Sequence, residues 1–174
     1  MRTPREIYAA YNIMPSLQLH QLRVAAVGKL ICDNFNPPAG GAVNERDVVL
    51  ACLFHDMGNI IKSNFSAFPD FFEPEGITYW KGVKNEFIKK YGTDTHQANV
   101  AIAHKIGLSE EVIMLVDGIA YSKIPSILQG TSFEQKICEY ADTRVAPREI
   151  LSQRERMLEG KWRYDKGEME MLKP

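Results

Sequence analysis

The sequence predicts an all-α, bundle-like single domain, and three observations carry that expectation. First, His20, Val24, Val27 and Ile31 stand at i, i+4, i+7 and i+11, one face of a helix. Second, helix-starting residues (Thr3, Asn44, Thr93 or Asp94, Ser109, Thr131 or Ser132) alternate with helix-stopping glycines (Gly58, Gly92, Gly107) along the chain. Third, no segment alternates apolar and polar residues as a half-buried strand does. A length of 174 residues suits one domain with a sizeable core.

Taken in order, Thr3 and Pro4 read as N-cap and first residue of a short helix to about Ile13. Pro15 and Ser16 restart the chain, and a long helix runs from Leu17 to about Asn34. Asn36 to Gly41 is a loop by its prolines and glycines. Asn44 caps the next helix, with Glu45 and Asp47 favouring its first turn. Gly58 is the expected stop of that helix, in the left-handed conformation. A long irregular stretch follows to about Thr78, with Phe65, Phe68, Phe71 and Phe72 near Pro69 and Pro74. Such a stretch is either a lid or a loop whose aromatics pack on the core.

Residues Trp80 to Tyr91 read as a helix ended by Gly92, with Lys81, Lys84, Lys89 and Lys90 on a solvated face. Thr93 or Asp94 caps the next helix to about Ile106, and Gly107 is its C-cap. Ser109 opens a helix to about Tyr121, and Pro125 breaks the chain. Thr131 or Ser132, with Glu134, opens a helix to about Arg144. Pro147 starts a last helix to about Glu159, and residues 160–174 form a charged, weakly packed tail.

A net charge of −1 argues against binding a nucleic-acid polymer or an anionic membrane. Cys32, Cys52 and Cys138 lie far apart in apolar surroundings, as reduced core thiols of a cytoplasmic protein do. No apolar run approaches the ~18 residues of a membrane span, and the N-terminus lacks a signal-peptide core.

The stretch Leu50-Ala-Cys-Leu-Phe-His-Asp-Met-Gly-Asn59 holds the first candidate site residues. Asp56 falls at the C-terminal end of a buried helix, facing the negative end of its dipole. A carboxylate there calls for a cation. His20 lies on the apolar stripe of the long helix, and Asp142 lies with Cys138, Ala141 and Val145 on another. Each of these residues alone reads as structural. Together they supply two imidazoles and two carboxylates, a donor set for a divalent transition metal. Three further groups lie nearby in sequence: Lys62 just past the His-Asp pair, His96 in the first turn of its helix, and Arg144 two residues beyond Asp142. His104 reads as structural.

His20, the pair His55-Asp56, and Asp142, in this order, resemble the H…HD…D signature of the HD-domain superfamily of metal-dependent phosphohydrolases. Leu19-His-Gln-Leu-Arg-Val-Ala25 is similar to that family's first helix, Leu53-Phe-His-Asp-Met-Gly58 to its central motif, and Tyr140-Ala-Asp-Thr143 to its closing aspartate motif. The resemblance covers about residues 15 to 150. It implies an HD-domain-like helical bundle and hydrolysis of a phosphomonoester or phosphodiester, often a nucleotide. It also implies that His20, His55, Asp56 and Asp142 hold a divalent ion: manganese, iron, cobalt, nickel, zinc or magnesium. Asn59 stands where many members carry lysine, and the acidic pair of the guanosine-alarmone hydrolases is absent. His96 resembles the first extra histidine of two-metal members, but residues 117–122 offer no matching histidine, so one metal is expected. Lys62, His96 or Arg144 would then bind the phosphate or protonate the leaving group of a small phosphorylated substrate. The alternative is an inactive HD fold that binds metal or nucleotide as a sensor.

Overall fold

Helix α2 (Pro15–Asn34) is the element against which the helices carrying His55 and Asp142 are packed. It follows α1 (Pro4–Ala10), whose start is fixed by a reciprocal capping box between Thr3 and Glu6. α1 ends a turn earlier than its sequence suggests. Asn12 takes a positive φ of 49° and the Ile13 amide donates back to the Tyr8 carbonyl, which closes the helix end. Next come α3 (Glu45–Phe54), α4 (Ile77–Tyr91), α5 (Thr95–Ile106), α6 (Glu110–Gly118), α7 (Ile124–Gln129) and α8 (Phe133–Asp142). A ninth helix, α9, covers 153–161. The structure is a computed structural model that describes residues 2–37, 42–65 and 69–161. Part of the 36–41 loop, Phe68 and the tail beyond residue 161 therefore lie outside the described residues.

Two apolar clusters fill the interior. Tyr8, Phe54, Met57, Trp80 and Ile102 anchor one, and Val24, Val48, Cys52, Val112, Cys138 and Ala141 anchor the other. Leu50 and Leu53 of α3 touch both, so α3 lies between the two clusters. α2 approaches it closely at Gly28. A Cβ there would stand 3.2 Å from the Cys52 Sγ and 3.3 Å from Val48 Cγ1. The three cysteines are free thiols. Among the described residues no helix is long and apolar enough to cross a membrane.

The structure decides one open expectation and corrects two others. The aromatic stretch after α3 is not a free lid: Phe72 is buried, Phe65 packs on the core, and Phe71 lies beneath Arg148, whose guanidinium also pairs with Asp70. Pro125 does not break the chain. It sits in the first turn of α7, where its missing N–H costs nothing. Pro147 starts no helix. Residues 147–152 turn back, so that Val145 and Ile150 form an isolated bridge, and α9 begins later.

Candidate metal centre

α3 delivers His55 and Asp56 from its C-terminal end. Its start is fixed by Asn44, whose side chain accepts from the Asp47 amide. Its end is Phe54, and His55 is the C-cap. The His55 Nδ1 lies 2.9 Å from the Cys52 carbonyl, one of the acceptors that a helix end leaves over. Donation from Nδ1–H satisfies that carbonyl and leaves Nε2 with its lone pair. That Nε2 is buried and has no hydrogen-bond partner.

The turn that follows is clamped from both sides. The Asp56 amide donates to Gln21 Oε1 on α2 at 3.2 Å, and the Gly58 amide donates to Asn99 Oδ1 on α5 at 2.6 Å. Gly58 has φ −96°, an ordinary conformation, so it is not the left-handed stop expected from the sequence. Its role is close approach: a Cβ would lie 2.7 Å from Ala98 Cβ and 3.0 Å from Asn99 Oδ1.

On this base four polar side chains converge. The His20 Nε2 is 3.1 Å from Asp142 Oδ1 and 3.5 Å from Asp56 Oδ2. The His55 Nε2 is 3.3 Å from Asp142 Oδ1 and 3.6 Å from Asp56 Oδ2. Donor atoms of His20, His55 and Asp56 all lie within 4.8 Å of one another. The separations exceed the about 2.7–2.9 Å of charge-assisted hydrogen bonds. They are close to the about 3.0–3.5 Å between donors that share one ion at about 2.1 Å. Two carboxylates facing an orphaned, buried lone pair in a half-buried site also call for a cation. The residues present therefore fit one divalent ion. Burial opposes protonation of His55, yet the Asp56 and Asp142 carboxylates outweigh it and raise the imidazole to about 10. Desolvation likewise opposes ionisation of Asp142, and His20 and His55 hold its carboxyl well below the usual range. Both shifts express one demand, for positive charge at the centre.

Glu139 stands one turn before Asp142 on α8, buried, with neither carboxylate oxygen hydrogen-bonded. Burial, and then the Asp142 charge, push its carboxyl up to about 7. The Ala120 amide and His55 offset a smaller part without completing a hydrogen bond. The folded protein therefore favours neutral Glu139. That contribution is full below the unfolded value of 4.5 and is lost as pH rises through about 7. Glu139→Gln cannot ionise, so urea unfolding should show it more stable than wild type at pH 8, by about 1–2 kcal/mol after solvent screening. The difference should shrink towards zero at pH 5. An equal difference at both pH values would refute the assignment.

The three groups expected to handle phosphate are placed differently from one another. Lys62 ends the 3-10 turn Asn59–Lys62, exposed and without a hydrogen bond or ion pair among the described residues. Arg144 is committed elsewhere, donating to the Leu151 carbonyl and, at 3.0 Å, to the Tyr140 hydroxyl. These bonds tie the end of α8 to the 147–152 turn. His96 sits in the first turn of α5, capped by Asp94, with its Nε2 2.6 Å from Asp117 Oδ1. The Lys123 ammonium lies 3.2 Å from that Nε2 and 2.7 Å from Asp117 Oδ2. His104 is exposed, its Nδ1 3.7 Å from Glu110 Oε1.

Gln21, Asn99, Asp117, Lys123 and Glu139 were not expected in or around the site. Gln21 follows His20 directly, and Asn99 lies one turn beyond His96, so adjacency was the available signal. Nothing local marks Lys123, because the turn that aims it depends on how α7 packs.

A family model described as HD domain matches residues 18–142, from the His20 helix to Asp142 itself. No curated protein and no solved structure matches the chain.

Proposed function

The chain belongs to the HD-domain family, and from that premise we propose that it is a metal-dependent phosphohydrolase. Its substrate in this reading is a phosphate ester, a nucleotide or a related small phosphomonoester or phosphodiester. The observation that carries the reading is the four distances of 3.1–3.6 Å that bring His20 and His55 each to Asp56 and Asp142. These four residues would hold one divalent ion. Bound there, such an ion supplies positive charge to a phosphoryl oxygen and lowers the pKa of water.

The rest of the chemistry belongs to the chain. His55 is buried, whereas Asp142 keeps 31% of its side chain exposed, so substrate approaches from the Asp142 side. Phosphoryl transfer needs aligned positive charge more than covalent chemistry, and in this reading the exposed Lys62 ammonium, six residues past Asp56, serves phosphate oxygens. His96 acts on the substrate as general acid. In this reading the partner is a small phosphorylated molecule in the cytoplasm, not a nucleic-acid polymer or a membrane. The test is a screen of the metal-loaded protein against nucleotides, glycerol 2-phosphate and p-nitrophenyl esters. Turnover of any of them supports the reading. Metal binding without turnover of any would leave an inactive sensor.

His96→Ala should keep the fold and the metal yet lose turnover of glycerol 2-phosphate by about 10²–10⁴-fold. Elemental analysis and steady-state kinetics on the same sample decide this. Loss of metal would make His96 a ligand, and unchanged turnover would make it structural.

A further inference from the structure

We propose that Asp117 and Lys123 are positioning residues that set the charge and direction of His96, so that it presents Nδ1 to the leaving group. The inference rests on the hydrolase reading and adds two residues to it.

The argument starts from hydrogen positions. At 2.6 Å from a carboxylate oxygen, the His96 Nε2 carries the proton and donates it to Asp117 Oδ1, because a bare lone pair at that distance would be repelled. Asp117 is itself held: the Lys123 ammonium donates to its Oδ2 and to its backbone carbonyl, each at 2.7 Å. The hydrogen bond from Lys123, ahead of that from His96, keeps the Asp117 carboxyl below its ordinary range despite partial burial. Nδ1 makes no hydrogen bond among the described residues. The ring is therefore fastened at one nitrogen and available at the other.

Asp117 and Lys123 act on the imidazole in opposite senses. The carboxylate stabilises the imidazolium and the ammonium, 3.2 Å from Nε2, destabilises it. Of the other charged groups around α5, Asp94 caps its start and accepts from the His96 amide at 2.8 Å. Lys62 lies on the 3-10 turn packed against α5. On α4, Lys84 is directed to Ser63 and Phe65, and Lys90 to Tyr11 and Tyr91. α5 links the cluster to the turn that carries the candidate centre. Asn99, one turn beyond His96 on the same side of α5, holds the Gly58 amide of the His-Asp turn.

In the step this serves, a water oxygen forms the new bond to phosphorus while the ester P–O bond breaks. Nδ1–H of the His96 imidazolium gives its proton to the departing oxygen. The proton released by the attacking water restores the imidazolium, so the alcohol and the phosphate product leave with atoms and charge balanced.

The test uses full-length protein loaded with Zn²⁺, with His96 followed by NMR as pH is varied and its signal assigned by His96→Gln. Asp117→Asn should lower the titration midpoint of His96 and Lys123→Met should raise it, each by about half to one pH unit. The corresponding limb of the pH–rate profile on glycerol 2-phosphate should move in the same directions. It should move less on p-nitrophenyl phosphate, whose leaving group needs little protonation. Shifts of the same sign in both variants, or none, would overturn the coupling, as would a rate limb that stays put while the titration moves. If Asp117→Asn fails to fold, Lys123→Met and Lys123→Gln supply the sign alone. Wild type that turns over none of the screened nucleotides and phosphate esters would sink the hydrolase reading. The titration, read without substrate, judges the control of His96 separately.

Discussion

His55→Ala and Asp56→Ala are each expected to strip the purified protein of metal, where wild type carries about one equivalent of a divalent ion. The expectation follows from how few donors the centre has and how each is held. His55 contributes a buried Nε2 whose tautomer the Cys52 carbonyl fixes, so no water can replace it without opening the core. Asp56 contributes one of only two carboxylates, and its loss leaves Asp142 alone to balance two positive charges. The two variants differ in side effects. His55→Ala also leaves a cavity and an unpaired Cys52 carbonyl, a penalty of about 1–3 kcal/mol apart from any metal. Asp56 is held through its amide by Gln21, which alanine preserves, so Asp56→Ala tests the ligand role with less damage. Elemental analysis of protein purified without chelator reads both. Full occupancy in both variants would remove the metal assignment.

Chelation is expected to lower the melting temperature of the wild-type protein by about 8–16 °C. The ion would join α2 through His20, the end of α3 through His55 and Asp56, and the end of α8 through Asp142. A ligand that binds only the folded state at about a thousand times its Kd stabilises by about 4 kcal/mol. For a chain of this size each kcal/mol moves the midpoint by about 2–4 °C. Without the ion, two carboxylates and two imidazoles face one another in little water, and those helix contacts should loosen first. A melting curve unchanged by excess chelator, in protein shown to have lost its metal, would contradict this.

Much of the fold was legible because its signals are local. Thr3, Asn44, Asp94, Ser109 and Ser132 cap their helices through side-chain bonds to amides two or three residues on. Gly107 takes the left-handed conformation that its place after Ile106 suggests. The failures are also of one kind. Gly58 looked like a helix stop because glycine often is one, yet its conformation is ordinary and its missing Cβ serves α5. Pro125 and Pro147 each allow two local outcomes, and packing of the neighbouring segments chose between them.

By itself the sequence determined the all-α class and the positions of His20, His55, Asp56 and Asp142 as ionisable groups set in apolar stripes, since periodicity and caps act within a few residues. Only the tertiary structure decided that the four meet, that Arg144 is tied to Leu151 and Tyr140, and that His96 is held by Asp117 and Lys123. Those pairings join residues from separate helices. They depend on crossing angles and on close approaches such as that at Gly28, which arise from the packing of whole helix faces and leave no mark in any single stretch of the chain.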